Sequence, residues 1–105
     1  MSRQFHAYVN PNPRARRAYP LVVVLQADHA EGGDERIVAP LAIADELSIP
    51  KARLAPRVEI DGTGYFVITA KMIALPSSGL TAPAGSLASY RSELVAAIDY
   101  LFLGV

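Results

Sequence analysis

At 105 residues, with 51% hydrophobic and 19% charged side chains, the chain has the composition of a single folded domain over 1–105 and not of a disordered segment. Ten basic and ten acidic residues give zero formal net charge, which argues against broad phosphate-driven nucleic-acid binding, since that needs a basic surplus or a basic face. The absence of cysteine excludes a disulfide framework, a thiolate metal site and a cysteine nucleophile. Residues 4–9 alternate, with Phe5, Ala7 and Val9 on one face and Gln4, His6 and Tyr8 on the other, so a half-buried strand is predicted. Asn10-Pro11-Asn12-Pro13 should stop it, and the loop that follows carries Arg14, Arg16 and Arg17.

Tyr19 to Gln26 is the strongest strand signal. Its Leu21-Val22-Val23-Val24-Leu25 core is β-branched and apolar on both faces, as in a central strand. This is also the longest apolar run, far too short to cross a bilayer. A polar Gly-Gly turn from Asp28 to Glu35 should lead into a short strand, Arg36 to Ala39, closed by Pro40 and hairpinned with its predecessor. Leu41 to Leu47 reads as either a short helical turn or an irregular crossing, and Pro50 and Pro56 forbid a long helix. Arg57 to Ile60 and Tyr65 to Thr69 flank Asp61-Gly62-Thr63-Gly64, a hairpin whose Asp-Gly pair supplies positive φ angles. Lys71 to Leu75 adds a short extended piece before Pro76-Ser77-Ser78-Gly79.

From Ser86 the period becomes helical. Leu87, Tyr90, Leu94, Ile98 and Leu101 form an apolar stripe with Ala97 beside it, while Ser89, Ser92, Glu93, Ala96 and Asp99 fall outside it. Ser86 is the expected N-cap and Gly104 the helix-ending glycine. Several short antiparallel strands followed by one helix suit a small barrel whose open side the helix covers. The stripe would then contribute roughly 1.5–3 kcal/mol per large buried side chain.

No catalytic constellation emerges. His6 and His29 lack metal-ligand spacing to a second ligand, and both read as ordinary solvated or half-buried histidines. The adjacent pairs Asp34-Glu35 and Asp45-Glu46 read as solvated loop carboxylates. Asp61-Gly62-Thr63-Gly64 is followed by no helix, so a phosphate loop is set aside for a turn. The three loop arginines suit bidentate contact with carboxylates or phosphates, but on the residues alone a solvated loop tip is the preferred reading. Ala97 to Val105 stays apolar and aromatic to its last residue; such a segment either docks in a core or an interface, or is itself a recognition surface. No cofactor or metal is expected. The start, Met1 to His6, has no signal-peptide pattern, so a cytoplasmic protein without a membrane partner is expected.

The order of these segments resembles the CcdB family, the toxins of plasmid-type toxin–antitoxin pairs that poison DNA gyrase. The likeness runs from Phe5 and Tyr8, through Tyr19 and Val24-Leu25-Gln26-Ala27-Asp28, to Arg36-Ile37-Val38-Ala39-Pro40-Leu41. It continues in Pro56 to Ile60 with the Asp-Gly hairpin and ends at Ala97 to Val105, similar to the family's helix closing in Phe-Trp-Gly-Ile. The resemblance implies a mainly β fold, a small SH3-like antiparallel β-barrel with a C-terminal α-helix, paired as a homodimer. It implies a bacterial toxin that is not an enzyme, traps the DNA gyrase A subunit on cleaved DNA, and is neutralised by a CcdA-like antitoxin.

By position, the resemblance places Asp99, Leu103, Gly104 and Val105 on the gyrase-facing end, with His29 and Ala30 as further contacts and Phe102 nearer the packing side. Arg14, Arg16 and Arg17 fall near where the family meets its acidic antitoxin. Leu103 replaces a tryptophan, Asp99 an asparagine, and His29 and Ala30 two isoleucines of the best-studied member. These departures motivate an alternative, a non-toxic dimeric module that binds antitoxin without poisoning gyrase.

Overall fold

Among the described residues, seven strands, one α-helix and short 3-10 turns account for the regular structure. The computed structural model describes residues 3–28, 33–44 and 53–105. Strands β1 (His6–Val9), β2 (Leu21–Val24), β3 (Glu35–Ile43), β4 (Arg57–Ile60), β5 (Thr63–Val67), β6 (Ile73–Pro76) and β7 (Pro83–Ser86) precede α1 (Arg91–Leu103). All pairings are antiparallel, in the order β4-β5-β3-β2-β1-β7, with β6 also on β3. The sheet curls until its two ends meet: a Cβ on Gly85 of β7 would lie 2.9 Å from Ile60 Cγ2 of β4. The result is the expected mainly β architecture, a half-barrel with a C-terminal helix.

Strand β2 is central, between β1 and β3, and buried along its whole length. Period two then divides its side chains. Leu21 and Val23 join Ala7, Ala39, Leu41, Val58, Val67 and Leu94 in the main core, while Val22 and Val24 join Tyr8, Val38 and Leu80 in a second one. A strand apolar on both faces needs cover on both faces, which the helix supplies on one side and the Leu80 turn on the other. Tyr8 is therefore buried, where the alternation at residues 4–9 predicts a half-buried strand.

Pro40 does not close the third strand. β3 runs through it for nine residues, pairing Val22 with Pro40 and then Leu41 with Val67. A strand residue's N–H and C=O point to the same edge, and the Pro40 carbonyl accepts from the Ile68 N–H at 2.9 Å. The missing donor thus faces the junction where β3 changes partner from β6 to β5, and the β2–β3 ladder loses nothing. Leu41 to Ile43, read from sequence as a helical turn or a crossing, continue the strand. Asp45, Glu46 and Leu47 lie outside the described residues.

Two further expectations are corrected. Strand β1 starts at His6 because Phe5 adopts φ +63, held by its N–H to Val24 O and its carbonyl from Leu87 N, both at 2.7 Å. The helix starts at Arg91, not after Ser86. Ser86 ends β7, an unexpected strand on β1, and its hydroxyl accepts from Ala88 N at 3.2 Å where a short 3-10 turn over Ala88–Tyr90 begins. Pro83-Ala84-Gly85 has no apolar alternation to announce a strand. The Asp61-Gly62 turn is as expected, with φ +50 and +81 between β4 and β5.

Candidate functional site

The helix presents three different surfaces. Leu94 and Ala97 are buried against the barrel, with Ile98 packed beside them. Residues four apart share a face, so Ile98 and Phe102 stack along one side, where they border an apolar cleft of about 380 Å³ with Leu25, Ile37 and Met72. Asp99 and Leu103, also four apart, lie on an outward side, both exposed. On a third side the Arg53 guanidinium sits 4.0 Å from the centre of the Tyr100 ring.

The last helical turn is closed by Gly104. Its φ of +75 is the left-handed conformation that glycine reaches without steric cost, and its N–H returns to Tyr100 O at 3.0 Å. Beyond that cap the apolar residues are not docked in the core: Phe102, Leu103 and Val105 are 66%, 71% and 76% exposed. Val105 turns back to border a second cleft, about 390 Å³, with Arg53, Arg57, Glu93 and Ala96. The structure therefore gathers Asp99, Leu103, Gly104 and Val105 on one helix end. His29 and Ala30 lie outside the described residues.

The arginine loop between β1 and β2 is organised by Asn10, which is buried. Its side-chain amide donates to Tyr19 O and its side-chain carbonyl accepts from Asn12 N, both at 2.9 Å. Its backbone carbonyl accepts from Arg16 Nε at 2.6 Å. Asn12 repeats the device on Arg14 N at 3.0 Å. The three arginines are thereby divided. Arg16 is tied to the loop's own frame, while the side chains of Arg14 and Arg17 are exposed and make no hydrogen bond or ion pair among the described residues.

Among the described residues no group of histidine and carboxylate side chains is placed to hold a metal ion. Asp34 and Glu35 are exposed where β3 begins. No helix of the described residues is long and apolar enough to cross a membrane. Sequence reasoning missed the cleft beside Phe102 and the Arg53–Tyr100 contact. The signal for the first was Ile37, which alternates out of register with the buried Val38 on a strand treated as ending early; the second joins residues far apart in sequence and left no local pattern.

A small antiparallel half-barrel thus carries exposed apolar residues at its helix end and, on the loop between β1 and β2, arginines without an ion pair among the described residues. The chain matches the CcdB protein family over residues 4–104, almost its whole length, and belongs to that family. Its general class is accordingly that of toxin–antitoxin toxins of the gyrase-poison kind. No curated protein matches it.

Proposed function

We propose that the protein is the toxin of a toxin–antitoxin pair. It acts as a cytoplasmic homodimer that binds the DNA gyrase A subunit and traps its cleaved-DNA complex until a cognate antitoxin removes it. The observation that carries this reading is the exposure of Leu103 and Val105 around a glycine-capped helix end, with Asp99 on the same outward side as Leu103. Large apolar side chains left in water at one place suit partner recognition. The neighbouring cleft of Leu25, Ile37, Met72, Ile98 and Phe102 supplies an apolar face for pairing two copies, which would bring two such helix ends together. Arg14 and Arg17 are the cations offered to an acidic antitoxin, with Arg16 holding the loop.

The deciding experiment is a cleavage assay with purified protein, supercoiled DNA, ATP and gyrase from the source organism. Accumulation of linear DNA is the expected result. Intact DNA over a wide range of concentrations of folded dimer would reject gyrase poisoning and favour the non-toxic antitoxin-binding module.

A further inference from the structure

The last turn of α1 carries no basic side chain, although the carbonyl end of a helix favours a nearby cation. Asp99, about one turn back, adds charge of the unfavourable sign. The tertiary structure brings the missing cation from another segment. Arg53, ahead of β4, lays its guanidinium 4.0 Å from the centre of the Tyr100 ring, and Tyr100 O is the acceptor for the Gly104 N–H that closes the helix. Arg53 and Val105 also border the same cleft of about 390 Å³. The support under Arg53 is fixed: Leu54 O accepts from the Thr69 N–H at 3.2 Å and from the Thr69 hydroxyl, and Pro56 O accepts from the Val67 N–H at 3.0 Å. Arg57, which lines the same cleft, is engaged elsewhere. Its Nη1 is 3.4 Å from Glu59 Oε2, and its guanidinium lies over Gly64, where a Cβ would collide with it. Among the described residues Arg53 has no ion pair to draw it off the ring.

We infer that Arg53 is a positioning residue for the exposed helix end: it clamps Tyr100 so that the last turn stays wound and Leu103 and Val105 are held in one arrangement before a partner arrives. The inference rests on the gyrase reading of that end and deepens it by naming the residue that orders it. Arg53 acts through the Tyr100 ring and need not touch the partner. A cation over a ring at an exposed site shifts a local equilibrium by about two- to fivefold. Helix ends fray, and without the clamp the last turn opens. Order lost from the free protein must then be supplied on binding, so the partner's affinity falls with it.

The test pairs two measurements on the full-length protein: solvent exchange at the Gly104 amide by NMR, and calorimetric binding to the gyrase A subunit of the source organism. Arg53→Ala and Tyr100→Leu should each speed Gly104 exchange about two- to fivefold and raise the Kd for gyrase A by a similar factor. Tyr100→Phe, which keeps the ring, should leave both values close to the wild type. Arg53→Lys keeps the charge without the flat guanidinium and should fall between. Leu80→Val, in the second core, separates a merely structural effect: it should lower the Tm and speed exchange at Val23 while leaving Gly104 exchange and gyrase binding unchanged.

Unchanged Gly104 exchange in Arg53→Ala overturns the inference. So does faster exchange at an unchanged Kd, or an equal effect on both values from Leu80→Val. If the wild-type protein binds no gyrase A, the gyrase reading falls by itself. Gly104 exchange in Arg53→Ala then decides the clamp, faster exchange upholding it and unchanged exchange overturning it.

Discussion

The Arg53 guanidinium lies 4.0 Å from the centre of the Tyr100 ring, joining the segment before β4 to the last turns of α1. A cation over an aromatic face at an exposed site contributes about 0.5–1 kcal/mol. A double-mutant cycle of Arg53→Ala and Tyr100→Leu, read by urea denaturation, should return a coupling of that size. Tyr100→Phe, which keeps the ring, should retain most of it. Additive single-site effects would show that the contact contributes no stability.

Leu94 is fully buried and is the side chain by which the helix enters the main core. Leu94→Ala removes three carbons and leaves a cavity, so a loss of about 2–5 kcal/mol is expected. That is a large share of the ~5–15 kcal/mol typical of a domain. The midpoint of urea unfolding should fall accordingly, whereas Ala96→Ser on the exposed side should leave it within about 0.5 kcal/mol.

Gly85 closes the half-barrel where β7 meets β4. Its φ of +151 and the 2.9 Å from a would-be Cβ to Ile60 Cγ2 make alanine both strained and crowded there. Gly85→Ala should destabilise by about 1–3 kcal/mol in thermal unfolding. Gly33→Ala, also at positive φ but with open space around it, should cost less, because only the backbone term remains.

Phe102 is the exposed member of the Ile98–Phe102 pair beside the apolar cleft. If two copies pair there, Phe102→Glu puts a charge into the interface and should convert a dimer to a folded monomer in analytical ultracentrifugation. Retention of the dimer would move the pairing surface elsewhere.

Asn10→Ala removes two hydrogen bonds from a buried amide, to Tyr19 O and from Asn12 N. A cost of about 1–3 kcal/mol is expected, since the partners lose their bonds in a partly buried loop. Hydrogen exchange should show faster exchange at the Asn12 amide, and any acidic partner held by the arginine loop should bind more weakly.

Much of this protein was legible before folding was considered. Leu21 to Leu25 announced a central strand by being apolar at every position, and the structure buries them all. Asp61-Gly62 announced a hairpin because few other pairs tolerate two positive φ angles. The spacing of Leu94, Ala97 and Ile98, opposite Glu93, Ala96 and Asp99, announced which side of the helix faces the barrel, and Gly104 announced where the helix stops. These are local signals, fixed by side-chain periodicity and by the conformational range of single residues.

The remainder depended on which segments become neighbours. Pro40 reads as a strand breaker, yet it sits within β3 because its missing donor happens to face the gap between two partner strands. Strand β7 lacks any strand pattern and exists because β1 offers it an edge. Arg16 looks equivalent to Arg14 and Arg17 until Asn10 ties it down. The apolar surface beside Phe102 and the cleft beside Tyr19 are each assembled from several separate segments. The sequence by itself determined the periodic elements, the turn glycines and the apolar helix end. The tertiary structure decided which backbone edges are paired, which cations stay free and which apolar side chains meet, because those depend on distances between segments that no local pattern encodes.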